Sequence, residues 1–137
     1  MNELSGRITS VESSEDMSIV EVDVSGDRFC SIILETPVTA SYLRKGEEII
    51  LFFKETEVSI AKNLSGLISL RNRIPSQVKS IEKSPLLSKV ILNYKGREIV
   101  SIITTSSVTR LDLKEGDFVE WLVKTNEISL LKKDFHP

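Results

Sequence analysis

Short apolar segments, most of them alternating with polar residues, recur along the whole chain and predict strands. Residues 4–12 alternate imperfectly, and the segments 18–25 and 28–34 are rich in β-branched residues and separated by a short turn that contains Gly26. Apolar side chains at every second position are typical of a strand that buries one face. The pattern therefore predicts three strands, the last two joined as a hairpin.

The same pattern occurs twice in the chain. Residues 2–62 align with residues 72–132 without a gap, and about 18 of the 61 paired positions are identical. Self-similarity over this length indicates a tandem duplication. We therefore expect two domains, at residues 1–65 and 66–137, and we call the two halves the first and second copy.

A helical segment is predicted after the third strand of each copy. The stretches TPVTASYL and SSVTRLDL open on hydroxyl residues that suit a helix N-cap, and Pro37 fits a first helical turn. Gly46 and Gly116 are expected to end these segments. Two more strands follow in each copy, with ETE or TNE turns between them. The predicted fold class is all-β: a tandem duplication of a five-stranded barrel of the oligonucleotide/oligosaccharide-binding (OB) type, with a short helix between strands 3 and 4.

The fourth strand of the first copy, EEIILFFK, is apolar on both faces. If Ile49, Leu51 and Phe53 point into the barrel, then Ile50 and Phe52 lie on the outer face. A small barrel that is exposed to water on that face would carry polar residues there. This strand predicts self-association.

Composition and charge exclude several classes of partner. The chain has 137 residues, of which 40% are hydrophobic and 28% charged, with a formal net charge of −2 and a pI of about 5.5. Lysines and glutamates are interspersed, so no basic face for nucleic acid or anionic lipid is expected. No apolar run approaches the roughly 20 residues of a membrane span, and the N-terminus lacks the pattern of a signal peptide. We expect a cytoplasmic protein without nucleic-acid or membrane partners.

Reactive side chains are few. Cys30 is the one cysteine and His136 the one histidine, which excludes an internal disulfide and a cysteine-rich metal site. The repeat aligns Cys30 with Val100 and Trp121 with Leu51, so both residues are expected to pack in strands. The sequence contains no Gly-rich phosphate loop and no Ser-His-Asp set. We expect a protein that binds rather than catalyses and that has no direct ligands for a metal cation.

Hydroxyl and cationic side chains form the remaining candidate site. Thr104 and Ser107 lie where the third strand of the second copy passes into the helical segment, Lys124 ends the fourth strand, and Arg71 and Asn72 precede the first. Such donors can replace the hydration shell of a small oxyanion. A simpler interpretation also fits, in which the hydroxyls cap a helix and the lysines are solvated.

Two segments, SLRNRIPSQVKSI and REIVSIITTSSVTRLDLKEGDFVEWLVKTNEISLL, resemble the molybdate-binding Mop-like family, also called TOBE domains. The family pattern reads Ser-x-Arg-Asn-x-Leu/Ile-x-Gly-x-Val, then Ile-Thr-x-x-Ser before a Leu-x-x-Gly turn, then a strand that ends in Lys. The matching residues are Ser69, Arg71, Asn72, Ile74, Val78, Ile103, Thr104, Ser107, Leu113, Gly116 and Lys124. Ser76 replaces the usual glycine, and Leu70 replaces a small residue.

The first copy follows the same outline with fewer polar groups. Its matching residues are Gly6, Val38, Leu43, Gly46 and Lys54. Leu34 and Pro37 stand where the second copy has Thr104 and Ser107, and proline also removes a backbone donor. We therefore expect the two copies to bind unequally.

The resemblance implies a two-repeat, stand-alone protein that holds molybdate or tungstate at subunit interfaces for storage, homeostasis or sensing. The implied oxyanion-binding residues are Ser69, Arg71, Asn72, Thr104, Ser107, Lys124 and Lys54. Lys124 would join Thr104 and Ser107 in a tighter class of sites, and Lys54 would serve a weaker or shared class. Relatives of this type imply a homotrimer, with a dimer as the alternative. The alternative function is an oligomeric regulatory or interaction module that has lost oxyanion binding.

Overall fold

The structure, a computed structural model, describes residues 1–133, and it is built almost entirely of strands. The described residues form ten strands and one α-helix, together with two single turns of 3-10 helix at Glu55–Glu57 and Thr125–Glu127. The strands are β1 (Asn2–Ser14), β2 (Met17–Val24), β3 (Asp27–Ile33), β4 (Glu48–Phe53), β5 (Ser59–Ala61), β6 (Asn72–Lys83), β7 (Leu87–Tyr94), β8 (Arg97–Thr104), β9 (Phe118–Val123) and β10 (Ser129–Lys132), and the helix is α1 (Thr105–Arg110). The predicted fold class, all-β with a duplicated set of five strands, is confirmed.

The strands form two five-stranded sheets that exchange their last members. The strand orders are β10-β4-β1-β2-β3 and β5-β9-β6-β7-β8. β10, from the second copy, pairs antiparallel with β4, and β5, from the first copy, pairs antiparallel with β9. Each sheet therefore takes four strands from one copy and the fifth strand from the other.

This exchange gives compact units whose limits differ from those of the repeats. The first unit contains Met1, Glu3–Phe53 and the segment that starts at Lys124. The second unit contains Asn2 and Lys54–Val123. The boundary between residues 65 and 66 thus separates two copies of sequence, whereas each unit in space combines both copies.

In the first unit, the core follows the predicted alternation. Ile49, Leu51 and Phe53 are buried, whereas Ile50 and Phe52 are half-buried on the other face of β4. β10 lies beside β4 in the sheet and pairs with it from Ile49 to Phe52. Cys30 is also buried, so its predicted role as a packing residue in a strand is confirmed.

In the second unit, the core is built around Trp121. Its ring is fully buried and meets Tyr94 edge to face, with ring centroids 5.8 Å apart and an interplanar angle of 81°. The indole Nε1 donates a hydrogen bond of 2.8 Å to the Ser76 hydroxyl. A buried indole N–H requires such an acceptor. Trp121 is therefore a packing residue, as the repeat predicts.

The serine at position 76 has a glycine, Gly6, as its counterpart in the first copy. A Cβ atom at Gly6 would lie 2.6 Å from Val22 Cγ1 and 2.7 Å from the Asp23 carbonyl oxygen. The first unit therefore has no room for the side chain that the second unit uses to satisfy Trp121.

Buried serines hold the exchanged segments in both units. In the first unit, the Ser31 hydroxyl donates to the Ile128 carbonyl at 2.6 Å. In the second, Ser101 donates to the Val58 carbonyl at 2.7 Å. Both serines are fully buried, and both acceptors lie just before the exchanged strand. The repeat thus contributes the same hydrogen bond once to each unit.

The helix predicted in the first copy does not form. Residues 35–44 instead make hydrogen-bonded turns, in which Thr36 O accepts from Thr39 N at 3.0 Å and from Ala40 N at 2.8 Å. Leu34, the counterpart of the N-cap residue Thr104, has no side-chain oxygen for an N-cap. Val38 is 94% exposed, whereas its counterpart in α1, Val108, is 1% exposed. Without a cap or a buried face, a segment this short gains little from helix formation.

Two exclusions from sequence analysis can be compared with the described residues. Residues 1–133 contain no helix with the length and apolar character of a membrane span. The same residues contain no cluster of three or more His, Cys, Asp or Glu side chains placed to hold a metal ion. His136 lies outside the described residues.

Candidate functional site

The start of α1 brings two of the predicted oxyanion-binding residues into contact. Thr104 is the N-cap of the helix, and its Oγ1 accepts a 3.1 Å hydrogen bond from the Ser107 backbone N–H. The Thr104 hydroxyl donates in turn to Ser107 Oγ at 2.9 Å. Thr104 is exposed and Ser107 is half-buried. The Thr104 hydroxyl therefore caps the helix, and its contact with Ser107 Oγ holds the two oxygens together.

A neighbouring threonine fastens this helix to the β6–β7 turn. Thr105 Oγ1 donates to the Ser84 carbonyl at 2.6 Å and lies 2.7 Å from the buried Ser88 hydroxyl, while Thr105 N donates to the Leu86 carbonyl at 2.9 Å. These bonds hold the first turn of α1 in place. Thr104 and Ser107 are consequently presented from a fixed backbone.

The loop between β5 and β6 carries Ser69 and Arg71, and both side chains are exposed. Asn72, the first residue of β6, differs from them because its side chain is fully buried. Its Nδ2 donates to the Val123 carbonyl at 3.0 Å, which ties β6 to the end of β9. Asn72 therefore fixes the point at which the loop enters the sheet, directly after Arg71.

Lys54 and Lys124 occupy equivalent positions at the ends of β4 and β9. Each is exposed and precedes a 3-10 turn, with φ and ψ of −74° and 146° at Lys54 and −64° and 148° at Lys124. The turn after Lys54 packs against β8, and the turn after Lys124 packs against β3. The two lysines have the same local geometry and different sheets beside them.

Strand exchange decides which lysine shares a unit with the hydroxyl residues. Six of the seven predicted residues belong to the second unit, and Lys124 belongs to the first. The six are Ser69, Arg71, Asn72, Thr104, Ser107 and Lys54. Within one compact unit, the lysine of this set that accompanies Thr104 and Ser107 is therefore Lys54, whereas the sequence analysis groups those hydroxyls with Lys124.

The counterparts in the first copy are apolar. Leu34 is 79% exposed, and Pro37 lies in the turn that replaces the helix. Neither side chain can donate a hydrogen bond, so this part of the first unit lacks the hydroxyl pair found at α1. The unequal binding of the two copies stays a prediction.

Sequence analysis missed one cation near the hydroxyl pair. Arg110 is exposed, and its Nη2 lies 3.5 Å from Ser107 Oγ. The spacing of three residues in SSVTR would have indicated this neighbour, because residues three apart on a helix share a face. Lysine and arginine donors, two hydroxyls and backbone N–H groups together can bind an anion without forming a covalent bond.

Comparison with known proteins identifies the family of this chain. The TOBE domain family matches residues 68–130. Molybdenum-pterin-binding protein 2 of Clostridium pasteurianum is 34% identical over 65 residues, which are 47% of this chain and 96% of that protein. The chain belongs to the Mop-like TOBE domain family. The resemblance inferred from its SLRN and TTSS segments is confirmed.

A longer relative and a solved structure extend this likeness over most of the chain. The molybdenum import ATP-binding protein ModC of Brucella abortus is 31% identical over 111 residues, covering 80% of this chain; the chain spans only 29% of the length of that relative. A crystal structure of the cytoplasmic molybdate-binding protein ModG with molybdate bound matches with a TM-score of 0.88 and 26% identity, covering 94% of each chain. The chain thus shares its fold with the molybdate-binding protein ModG over nearly its whole length.

Proposed function

We propose that this protein binds molybdate or tungstate as an intact oxyanion in the cytoplasm, for storage, homeostasis or sensing, and that it is not an enzyme. The observation that carries the proposal is the hydroxyl pair of Thr104 and Ser107, fixed by the helix cap in the unit that also contains Arg71 and Lys54. Support also comes from relatives that are named for molybdate or molybdenum.

The proposed binding uses hydrogen bonds and charge alone. Arg71, Lys54 and Lys124 donate only, and the Thr104 and Ser107 hydroxyls donate once the ligand replaces their present contact. Hydrogen bonds between a charged donor and an oxyanion are the stronger class. Ser69 adds a hydroxyl, and Asn72 is assigned an indirect role in the set, because its buried amide positions Arg71.

Calorimetry with molybdate, tungstate and sulfate tests this proposal. We expect molybdate and tungstate to bind and sulfate to bind more weakly, since an anion of different size cannot reach every fixed donor. Arg71→Ala should weaken molybdate binding by about 10- to 150-fold, because one charge-assisted hydrogen bond contributes roughly 1.5–3 kcal/mol. Arg44→Ala, which changes an exposed arginine in the first copy, is the control for net charge. Absence of molybdate binding in the wild-type protein would favour the interaction module instead.

We further propose that the binding sites lie at subunit interfaces of a homotrimer. Exposed apolar side chains support association: Leu86 is 81% exposed in the second unit, and Leu34 and Val38 are exposed in the first. Such residues are favourable when a second subunit covers them. Light scattering at micromolar concentration should return three times the 15.4 kDa chain mass. A dimer mass would retain association and reject the trimer, whereas a monomer mass would contradict sites shared between subunits.

A further inference from the structure

A cavity of about 380 Å³ lies between β5 and α1 in the second unit. Its lining residues are Ser59, Ile60, Ala61, Lys62, Leu64, Ile103, Ser107, Arg110 and Leu111. The volume is in the range of roughly 300–1,000 Å³ that is common for small-molecule sites. Two cations and two hydroxyl residues line this cavity, and no carboxylate does, so its charge selects for an anion.

The first cation of the cavity, Lys62, is neutralised within the protein. Its Nζ lies 3.0 Å from Asp117 Oδ2 and donates to the Asp112 carbonyl at 2.7 Å. The hydrogen bond from Lys62 holds the pKa of Asp117 below its ordinary value. Lys62 therefore anchors the end of β5 to the loop before β9 and leaves little net charge for a ligand.

The second cation, Arg110, has a different environment. Its guanidinium contacts the Ser107 hydroxyl at 3.5 Å, and it forms no ion pair with a described residue. The half-buried cations of the unit, Lys62 and Arg73, are paired, the latter through a 2.6 Å contact between Arg73 Nε and Glu120 Oε2. Arg110 thus places uncompensated positive charge beside an oxygen of the proposed oxyanion site.

This cation is specific to the second copy. The counterpart of Arg110 in the first copy is Ala40, which is buried and carries no donor in its side chain. The copies therefore differ in a third feature, after the hydroxyl pair and Arg71. All three differences add anion-binding groups to the same unit.

We propose that Arg110 is an additional anion-binding residue, which donates from its guanidinium to the oxyanion held by Thr104 and Ser107. This inference rests on the proposed function and extends the predicted residue set. A guanidinium presents several N–H donors in one plane, so Arg110 can keep its contact with Ser107 and donate to an oxyanion oxygen at the same time. The side chain is exposed, which leaves it free to make this contact without repacking a core.

Charge and size variants of Arg110 test the inference in the 137-residue chain. Molybdate affinity should be measured by calorimetry for wild type, Arg110→Gln and Arg110→Lys, with Arg97→Gln as a control that removes an exposed arginine of the same unit from a distant hairpin. We expect Arg110→Gln to weaken binding by about tenfold. Arg110→Lys should restore most of the loss, Arg97→Gln should match wild type, and the ligand-free melting temperatures of all four proteins should agree.

The outcomes separate this inference from the function on which it rests. If wild type binds molybdate and Arg110→Gln binds equally well, Arg110 is not part of the site and the proposed function stands. Equal losses in Arg110→Gln and Arg110→Lys, accompanied by lower melting temperatures, would assign Arg110 a role in helix stability and overturn its binding role. If wild type does not bind molybdate, the proposed function and the role of Arg110 are both rejected. High salt provides a further check, because screening should reduce the difference between wild type and Arg110→Gln.

Discussion

Lys54→Ala is expected to weaken molybdate binding by about 10- to 150-fold, the equivalent of roughly 1.5–3 kcal/mol for one charge-assisted hydrogen bond. Lys124→Ala is expected to cause a smaller loss at the site formed by Thr104 and Ser107. The two lysines are a matched pair, since both are exposed, both follow a strand and both precede a 3-10 turn with nearly the same backbone angles.

The two variants are expected to lose different amounts of affinity because β5 and β10 are exchanged between the sheets. The chain leaves β4, passes through the turn that begins after Lys54, and enters β5, which pairs with β9 in the sheet of the second copy. The turn packs against β8, the strand that leads into Thr104. Lys124 makes the reciprocal crossing, and its turn packs against β3, the strand that leads to Leu34. A lysine followed by a turn that packs on the strand leading to the hydroxyl pair should contribute more than one whose turn packs on the strand leading to a leucine.

Calorimetric titration of both variants decides between two arrangements. A larger loss from Lys54→Ala supports a lysine supplied by the same unit as Thr104 and Ser107. A larger loss from Lys124→Ala would support the pairing of Lys124 with Thr104 and Ser107 that the sequence predicts. Equal losses from both variants would show that the two copies bind equally, although only the second copy has the hydroxyl pair. Lys45→Ala, a change of an exposed lysine in the first copy, controls for the lost charge.

Strand positions could be predicted from the sequence because local alternation determines them. Val20, Val22 and Val24 are buried at every second position of β2, and Val90, Leu92 and Tyr94 repeat the pattern in β7. The repeat also identified Trp121 as a packing residue through its alignment with Leu51. Such inferences need only near neighbours along the chain, and they hold whichever sheet a strand joins.

The exchange of β5 and β10 could not be predicted from the same information. The segments VSIAK and ISLLK have similar apolar patterns, so each fits the edge of β4 or of β9. Two hydrogen bonds hold these segments, one from Ser31 to Ile128 and one from Ser101 to Val58. Both join residues far apart in the sequence, and they connect equivalent positions of the two copies. Alternation along a strand specifies its buried face, but it does not specify a partner among equivalent strands.

Two residues show why the sequence did not specify the local geometry of the candidate site. Leu34 stands where the second copy has the N-cap residue Thr104, and the helix expected in the first copy is absent. Asn72 belongs to the family pattern, yet its amide is buried against the Val123 carbonyl. A motif records which residues occur together, and it cannot distinguish a side chain that contacts a ligand from one that positions its neighbour.

Ser101→Ala is expected to lower the free energy of unfolding of the second unit by roughly 1–3 kcal/mol, the cost of leaving a buried polar group without its partner. The Ser101 hydroxyl is fully buried and donates to the Val58 carbonyl at 2.7 Å. Alanine preserves the packing and removes the donor, so the Val58 carbonyl oxygen loses this hydrogen bond where water has little access.

Urea unfolding of Ser101→Ala, Ser31→Ala and Ser10→Ala provides the measurement. Ser31→Ala should cost about as much as Ser101→Ala, because Ser31 donates an equally buried hydrogen bond to Ile128. Ser10→Ala changes an exposed serine of β1 and should have little effect. Midpoints for Ser101→Ala and Ser31→Ala that match the Ser10→Ala midpoint would show that these two bonds do not stabilise the exchanged segments.

Native-state hydrogen exchange then locates the effect. Loss of the bond to Val58 should speed amide exchange in β5, the strand that follows Val58, since that strand is held to the second unit by three register pairs with β9 and by the contact at its start. Ser31→Ala should have the corresponding effect on β10, whose entry into the first unit is fixed through Ile128. Faster exchange of β10 in Ser101→Ala, or of β5 in Ser31→Ala, would contradict the assignment of each exchanged strand to its unit, because each serine would then be stabilising the strand of the other sheet.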